Sequence, residues 1–150
     1  MTILLTLSIP GPPRGKQRPR AARRGEILTV YTPKETQRWE RDVAKLAALT
    51  YDGAPLARPV RLVVNAVAAR PQALYRHADP AGRLVRCTKP DGDNVLKIVA
   101  DALTLGKVLE DDRYIAEWYC RSLYGAKGEE PCTEVWVIDM EPPTQAELGV

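Results

Sequence analysis

A chain of 150 residues, 45% hydrophobic and 27% charged, is sized for one domain with a substantial core. Its formal net charge of +3 is too small for a uniformly basic nucleic-acid binder. The absence of any apolar run of roughly 18 residues excludes a helical membrane span. Charge is unevenly spread, however. Residues 1–50 carry ten Lys/Arg against four Asp/Glu, residues 51–100 eight against four, and residues 101–150 four against eleven. A basic front and an acidic back imply contact with a polyanion and, separately, a concentrated acidic feature.

In chain order, "ILLTLSI" (3–9) alternates apolar and polar positions and is expected to be the first strand, ended by Pro10-Gly11-Pro12-Pro13. Met1–Pro10 has no basic flank or small-residue cleavage site and is not expected to be a secretory signal. "RGKQRPRAARRG" (14–25) reads as a basic loop and "EILTVY" (26–31) as a second strand. In "TPKE", Thr32 as N-cap, Pro33 in the first turn and Glu35 predict a capping box. The helix that follows places Trp39, Val43, Leu46 and Ala47 on one face and should stop near Gly53-Ala54-Pro55.

"VRLVVNAVAA" (60–69) is apolar enough to be a central strand. Residues 70–89, with Pro71, Pro80 and Gly82, read as a loop with a short helical turn. Over 93–103 a second helix puts Val95, Val99, Ala102 and Leu103 on one face and Asp93, Lys97 and Asp101 on another. "YIAEWYCRSLY" (114–124) and "TEVWVID" (133–139) are predicted strands, joined as a hairpin through Gly125-Ala126-Lys127-Gly128. The expected fold class is therefore α/β (α+β): one domain over 1–140 with a mixed sheet of about five strands and two main helices, followed by a tail over 141–150.

Cys87, Cys120 and Cys132 are odd in number and lack CxxC spacing, so they are expected to be buried free thiols in a reducing, cytoplasmic setting. With His77 the one histidine, a histidine-rich zinc site and a Ser-His-Asp triad both lack support.

The acidic residues concentrate chemistry. Asp91 and Asp93 flank Gly92 where a loop enters a helix, and Asp111 and Asp112 follow that helix. For any one of them, capping a helix N-terminus is the plainer explanation, with Asp93 and Lys97 as an i, i+4 surface pair. Taken together they ask for more. Two carboxylates about 4 Å apart repel by about 4 kcal/mol at an effective dielectric near 20, so a cluster needs raised pKa values or a cation. Lys97 neutralises one charge, and the remainder suits Mg²⁺, which takes oxygen ligands and keeps sites for water and phosphate. An EF-hand is excluded, because its loop glycine and distal glutamate are missing. Arg14, Lys16, Arg18, Arg20, Arg23 and Arg24, with no acid before Glu26, suit a phosphate backbone. Tyr31 and Trp39 lie close by in sequence and are able to stack on bases, although Trp39 fits the helix's core face.

"KPDGDNVLKIVADAL" followed by "VLEDDRYI" resembles the core motif of the RusA family of Holliday junction resolvases of phages and prophages. "PPRGKQRPR" and "VYTPKETQRWE" are similar to the opening of that family's phage and Gram-positive branch. The resemblance spans most of residues 5–139. It implies a Mg²⁺-dependent endonuclease, with Mn²⁺ able to substitute, that acts as a homodimer in the bacterial cytoplasm. Such an enzyme nicks two strands of a four-way DNA junction symmetrically, leaving 5′-phosphate ends. By the same resemblance Asp91, Asp93 and Asp112 are metal ligands, Lys97 is a catalytic lysine, and Asn94, Asp101 and Asp111 play supporting roles. Arg14–Arg24 and Lys89 would hold the junction arms. Two departures are a longer 70–89 connection and the absence of phenylalanine. The alternatives are a non-catalytic DNA-binding protein of the same fold and a nuclease for other branched DNA, such as flaps.

Overall fold

The computed structural model describes residues 1–140, 145, 146 and 149. The tail expected over 141–150 therefore falls largely outside the described residues. Seven strands and two helices follow in the order β1 (Ile3–Pro10), β2 (Arg20–Arg24), β3 (Ile27–Tyr31), α1 (Lys34–Thr50), β4 (Val60–Ala68), β5 (Leu84–Val85), α2 (Gly92–Leu105), β6 (Ile115–Tyr124) and β7 (Cys132–Asp139). Five strands form a mixed sheet in the order β1-β7-β4-β6-β5, and β2 and β3 form a separate two-stranded ribbon. This is an α+β domain with two helices, as the periodicities predict.

The apolar character of β4 explains its central place. Val60, Leu62, Val64 and Ala66 are buried at every second position, and both edges of the strand are hydrogen-bonded, antiparallel to β7 and parallel to β6. On the same face, Leu5 of β1, Val137 of β7 and Leu62 of β4 lie in register, followed by Leu7, Val135 and Val64. Val43 and Ala47 of α1 and Val95, Ile98, Val99, Ala102 and Leu103 of α2 close over this face to complete one core. The helices approach closely at Gly106, just past α2, where an added Cβ would stand 2.6 Å from the Ala44 carbonyl oxygen. Among the described residues no helix is long and apolar enough to cross a membrane.

Four local expectations are corrected. β6 and β7 are not a hairpin: each pairs with β4, on opposite edges, and the connection between them is tied across the end of β4 by the Gly125 N–H, which donates to the Ala68 carbonyl at 2.9 Å. Pairing with the most deeply buried strand outweighs the local turn. The capping box does not form either. Pro33 occupies the cap position, Gln37 Nε2 reaches the Thr32 carbonyl at 3.0 Å, and Glu35 faces Arg14. The basic loop contains strand β2, because Arg20–Arg24 finds a partner in β3 across Gly25-Glu26. Finally, Cys87 is exposed, while Cys120 and Cys132 are half-buried; all three are free thiols.

The 70–89 connection includes the expected helical turn, at Gln72–Leu74, and also the short strand β5. It is held by buried arginines. Arg70 donates to the carbonyls of Leu74, Pro80 and Gly82, and Arg86 to those of Ala66, Thr88, Lys89 and Leu123. Each guanidinium thus pairs backbone oxygens that a coil cannot pair by itself. Arg83 anchors the same segment to Glu129 and Glu134, both at 2.7 Å. The Arg83 guanidinium holds both carboxyls below their ordinary value of 4.5. Their stabilising effect is accordingly present above that value and is lost as pH falls through the depressed native pKa values. Arg83→Met should lower Tm at neutral pH by about 2–4 °C, the equivalent of roughly 1 kcal/mol. The gap between variant and wild type should close as the pH is taken below 4 in a melting series, and a constant gap would refute this assignment.

Candidate active site

The motif residues gather around the exposed side of α2. Asp91 is the N-cap residue, in extended conformation, and its carboxylate accepts no capping bond from the helix. Asp93 stands in the first turn, exposed. Gly92 lies against β6, where an added Cβ would meet Cys120 Cβ at 3.4 Å. Arg86, bonded to the Thr88 and Lys89 carbonyls, holds the approach to this corner.

Lys97 does not form its i, i+4 pair with Asp93. Its ammonium turns the other way, to Asp101 Oδ1 at 3.2 Å and to Asp112 Oδ2 at 2.7 Å. The hydrogen bond to Asp112 is the main reason the Lys97 pKa is raised, and the same bond from Lys97 lowers that of Asp112. The adjacent aspartates divide their tasks. Asp111 Oδ1 accepts from the Arg113 backbone N–H at 2.8 Å and caps the 3-10 turn Asp112–Tyr114, leaving Asp112 to face the helix.

Lys16, expected on the DNA-binding loop, is turned inward. It donates to Glu40 of α1 and lies 3.0 Å from Asp101 Oδ2. Burial works to lower its pKa, but the bonds to Glu40 and Asp101 outweigh it and raise the value. A ladder of alternating charge results: Glu40, Lys16, Asp101, Lys97, Asp112. Glu40 was not a sequence candidate, because it belongs to another helix, although it closes the stretch VYTPKETQRWE that carries part of the resemblance. The strap carrying Lys16 is itself docked on α2. The Lys16 N–H donates to the Asn94 carbonyl at 2.8 Å, and a Cβ on Gly15 would meet Pro90 and Asn94 at 3.0 and 3.1 Å. Arg14, Lys16, Lys89, Asp91 and Asn94 line one groove beside this junction. Arg14 is paired with Glu35 at 3.3 Å.

As a donor set, Asp91, Asp93 and Asp112 suit a small hard cation, since all offer carboxylate oxygen. This structure does not draw them together: among the described residues, no three His, Cys, Asp or Glu side chains form a group able to hold a metal. Asp91 and Lys97 are separated by about 9 Å along the helix axis at its usual rise. Lys97 serves as the counter-ion of Asp112.

If Lys16 holds the strap, Lys16→Met should free it. Exchange of the Lys16 amide should quicken about fivefold, the equivalent of roughly 1 kcal/mol, while amides in the middle of α2 keep their protection. Hydrogen-exchange mass spectrometry or NMR reads both, and unchanged exchange at residue 16 would show the strap to be held by its backbone alone.

The family described as Endodeoxyribonuclease RusA matches residues 10–137. No curated protein matches the chain. The matched span includes the strap, both helices and every motif carboxylate, and the chain belongs to the RusA endodeoxyribonuclease family.

Proposed function

We propose that this chain is a Mg²⁺-dependent endonuclease, with Mn²⁺ able to substitute, that resolves four-way DNA junctions by paired, symmetric nicks as a homodimer. One observation carries the reading: the 2.7 Å contact between Lys97 and Asp112. It joins the second half of the motif to the helix that the first half begins. Mg²⁺ would be held by Asp91, Asp93 and Asp112 once these carboxylates, which stand apart here, are brought together, and when bound it would supply an activated water and neutralise charge on the phosphate.

The remaining work belongs to the chain. Lys97, its pKa raised, stays protonated at neutral pH and offers positive charge where negative charge develops during strand scission. Asp101 holds Lys97 from the next turn of the helix, so the ammonium keeps an anchor when Asp112 takes another partner. Asp111 keeps Asp112 facing α2 by capping the turn behind it. Lys89 lines the Asp91 groove and would hold a phosphate there, as would Arg14 on releasing Glu35. Arg18, Arg20, Arg23 and Arg24 lie exposed on the ribbon and its approach. Lys16 anchors the strap instead of contacting DNA. A two-fold dimer would present two equivalent sites to a two-fold junction, which accounts for paired cuts.

Asp93→Asn removes one charge and scarcely changes shape. Its expected effect on a synthetic four-way junction in Mg²⁺ is a loss of cleavage of roughly 10²–10³-fold, with binding retained or tightened. Normal cutting by the variant, or none by wild type, sinks the proposal. Running flaps and linear duplex alongside separates a junction resolvase from a nuclease for other branched DNA. A wild type that binds these substrates and cuts none of them is a DNA-binding protein on a nuclease fold.

A further inference from the structure

The β2–β3 ribbon has no place in the body of the domain. It belongs to neither edge of the five-stranded sheet, and all ten of its strand residues are exposed. Ile27, Leu28 and Val30 are 69%, 65% and 65% exposed, and Tyr31 is 43% exposed. A two-stranded ribbon on its own is marginally stable in water, and apolar side chains held open to solvent call for a partner.

The pairing register says what kind of partner. Arg20, Ala22 and Arg24 of β2 oppose Tyr31, Thr29 and Ile27 of β3, while Ala21 and Arg23 oppose Val30 and Leu28. Opposed residues share a face of the ribbon, so both faces mix arginine with apolar side chains. The turn at Gly25, whose φ is +60°, adds Glu26 as the ribbon's one acid. A second copy of the chain packed on this element about a two-fold axis would set arginine against arginine, which repels. A polyanion does the reverse. The strap leading into the ribbon also lines the groove that contains Asp91 and Lys89, through Gln17, and the ribbon begins at Arg20.

Phosphates account for the arginines but not for the aliphatic side chains. An intact duplex hides its base faces in the stack, and opening a step to apolar side chains costs a few kcal/mol. At a branch point, where strands exchange and the stack is interrupted, that cost is smaller. We propose that the β2–β3 ribbon is the element that selects branched over linear DNA. Arg18, Arg20, Arg23 and Arg24 grip backbone phosphates, and the apolar side chains of β3, Leu28 and Val30 on one face and Ile27 on the other, lodge against base faces exposed at the branch. This rests on the nuclease reading above and adds to it the source of structural selectivity.

The test compares dissociation constants of the full chain for a four-way junction and for a linear duplex of the same arm sequence, in Ca²⁺ to prevent cutting and over a range of salt. The variant Ile27→Thr/Leu28→Thr/Val30→Thr keeps β-forming residues and removes apolar surface. It should lose roughly tenfold or more of the junction-over-duplex ratio, with duplex affinity and Tm unchanged. Replacing Arg18, Arg20, Arg23 and Arg24 by Gln should weaken both substrates together and flatten the salt dependence by about one unit of slope for each phosphate no longer neutralised. An unchanged ratio in a threonine variant that still cuts junctions overturns the inference and leaves the nuclease reading standing. A threonine variant that sediments as a monomer where wild type is a dimer assigns the ribbon to a second copy, and overturns it too. A wild type that neither binds nor cuts DNA overturns both readings.

Discussion

Glu40, Asp101 and Asp112 stand within one small region of the surface only because Lys16 and Lys97 stand between them. Carboxylates brought close in a partly desolvated place repel by several kcal/mol, and alternating them with ammonium groups turns that repulsion into attraction. Much of the site follows from this constraint. It ties α1, α2, the strap and the turn before β6 into one unit, although none of these interactions is large by itself. It also keeps a protonated lysine beside Asp112, on the helix whose N-terminus carries Asp91 and Asp93. The Lys97 end of the ladder exchanges partners most readily, since its pairs are the most exposed and none of the rungs is fully buried.

The scaffold beneath is rigid by contrast. β4 is bonded along both edges and buried at alternate positions, and α2 lies over it with its apolar face fully covered. Because β6 runs parallel to β4, the chain must return to the start of the sheet between them, and it does so through α2. That return places the Asp91-Gly92-Asp93 corner beside Cys120 and Ser122 of β6 and delivers Asp111 and Asp112 just ahead of Ile115, where β6 begins. Arg70 and Arg86 complete the frame from within. They bond carbonyls of the 70–89 connection and the loop before α2, so this irregular stretch is fastened to the sheet with no buried side-chain polar atom left unpartnered among the described residues.

Packed scaffold and open ribbon are thus opposite in character. The strap crosses from one to the other within a few residues, docked through Gly15 and the Lys16 amide and then released into β2.

Local pattern alone determined five of the seven strands, both helices, the buried faces of α1 and α2, and the candidate carboxylates, while β2 and β5 lay in stretches that read as loops. Each of these depends on a period of two or 3.6 residues, or on a motif contained in one stretch of chain. β4 was legible as central because its apolar run needs cover. Only the folded chain decided which strand each strand would pair with, and which acid each lysine would choose. The supposed β6–β7 hairpin gave way to two pairings with β4, because burial of a central strand outweighs the preference of a turn. Lys97 chose Asp101 and Asp112 over Asp93, and Lys16 chose Glu40 and Asp101 over solvent, because ion pairing falls off with distance through space and takes no account of separation along the chain.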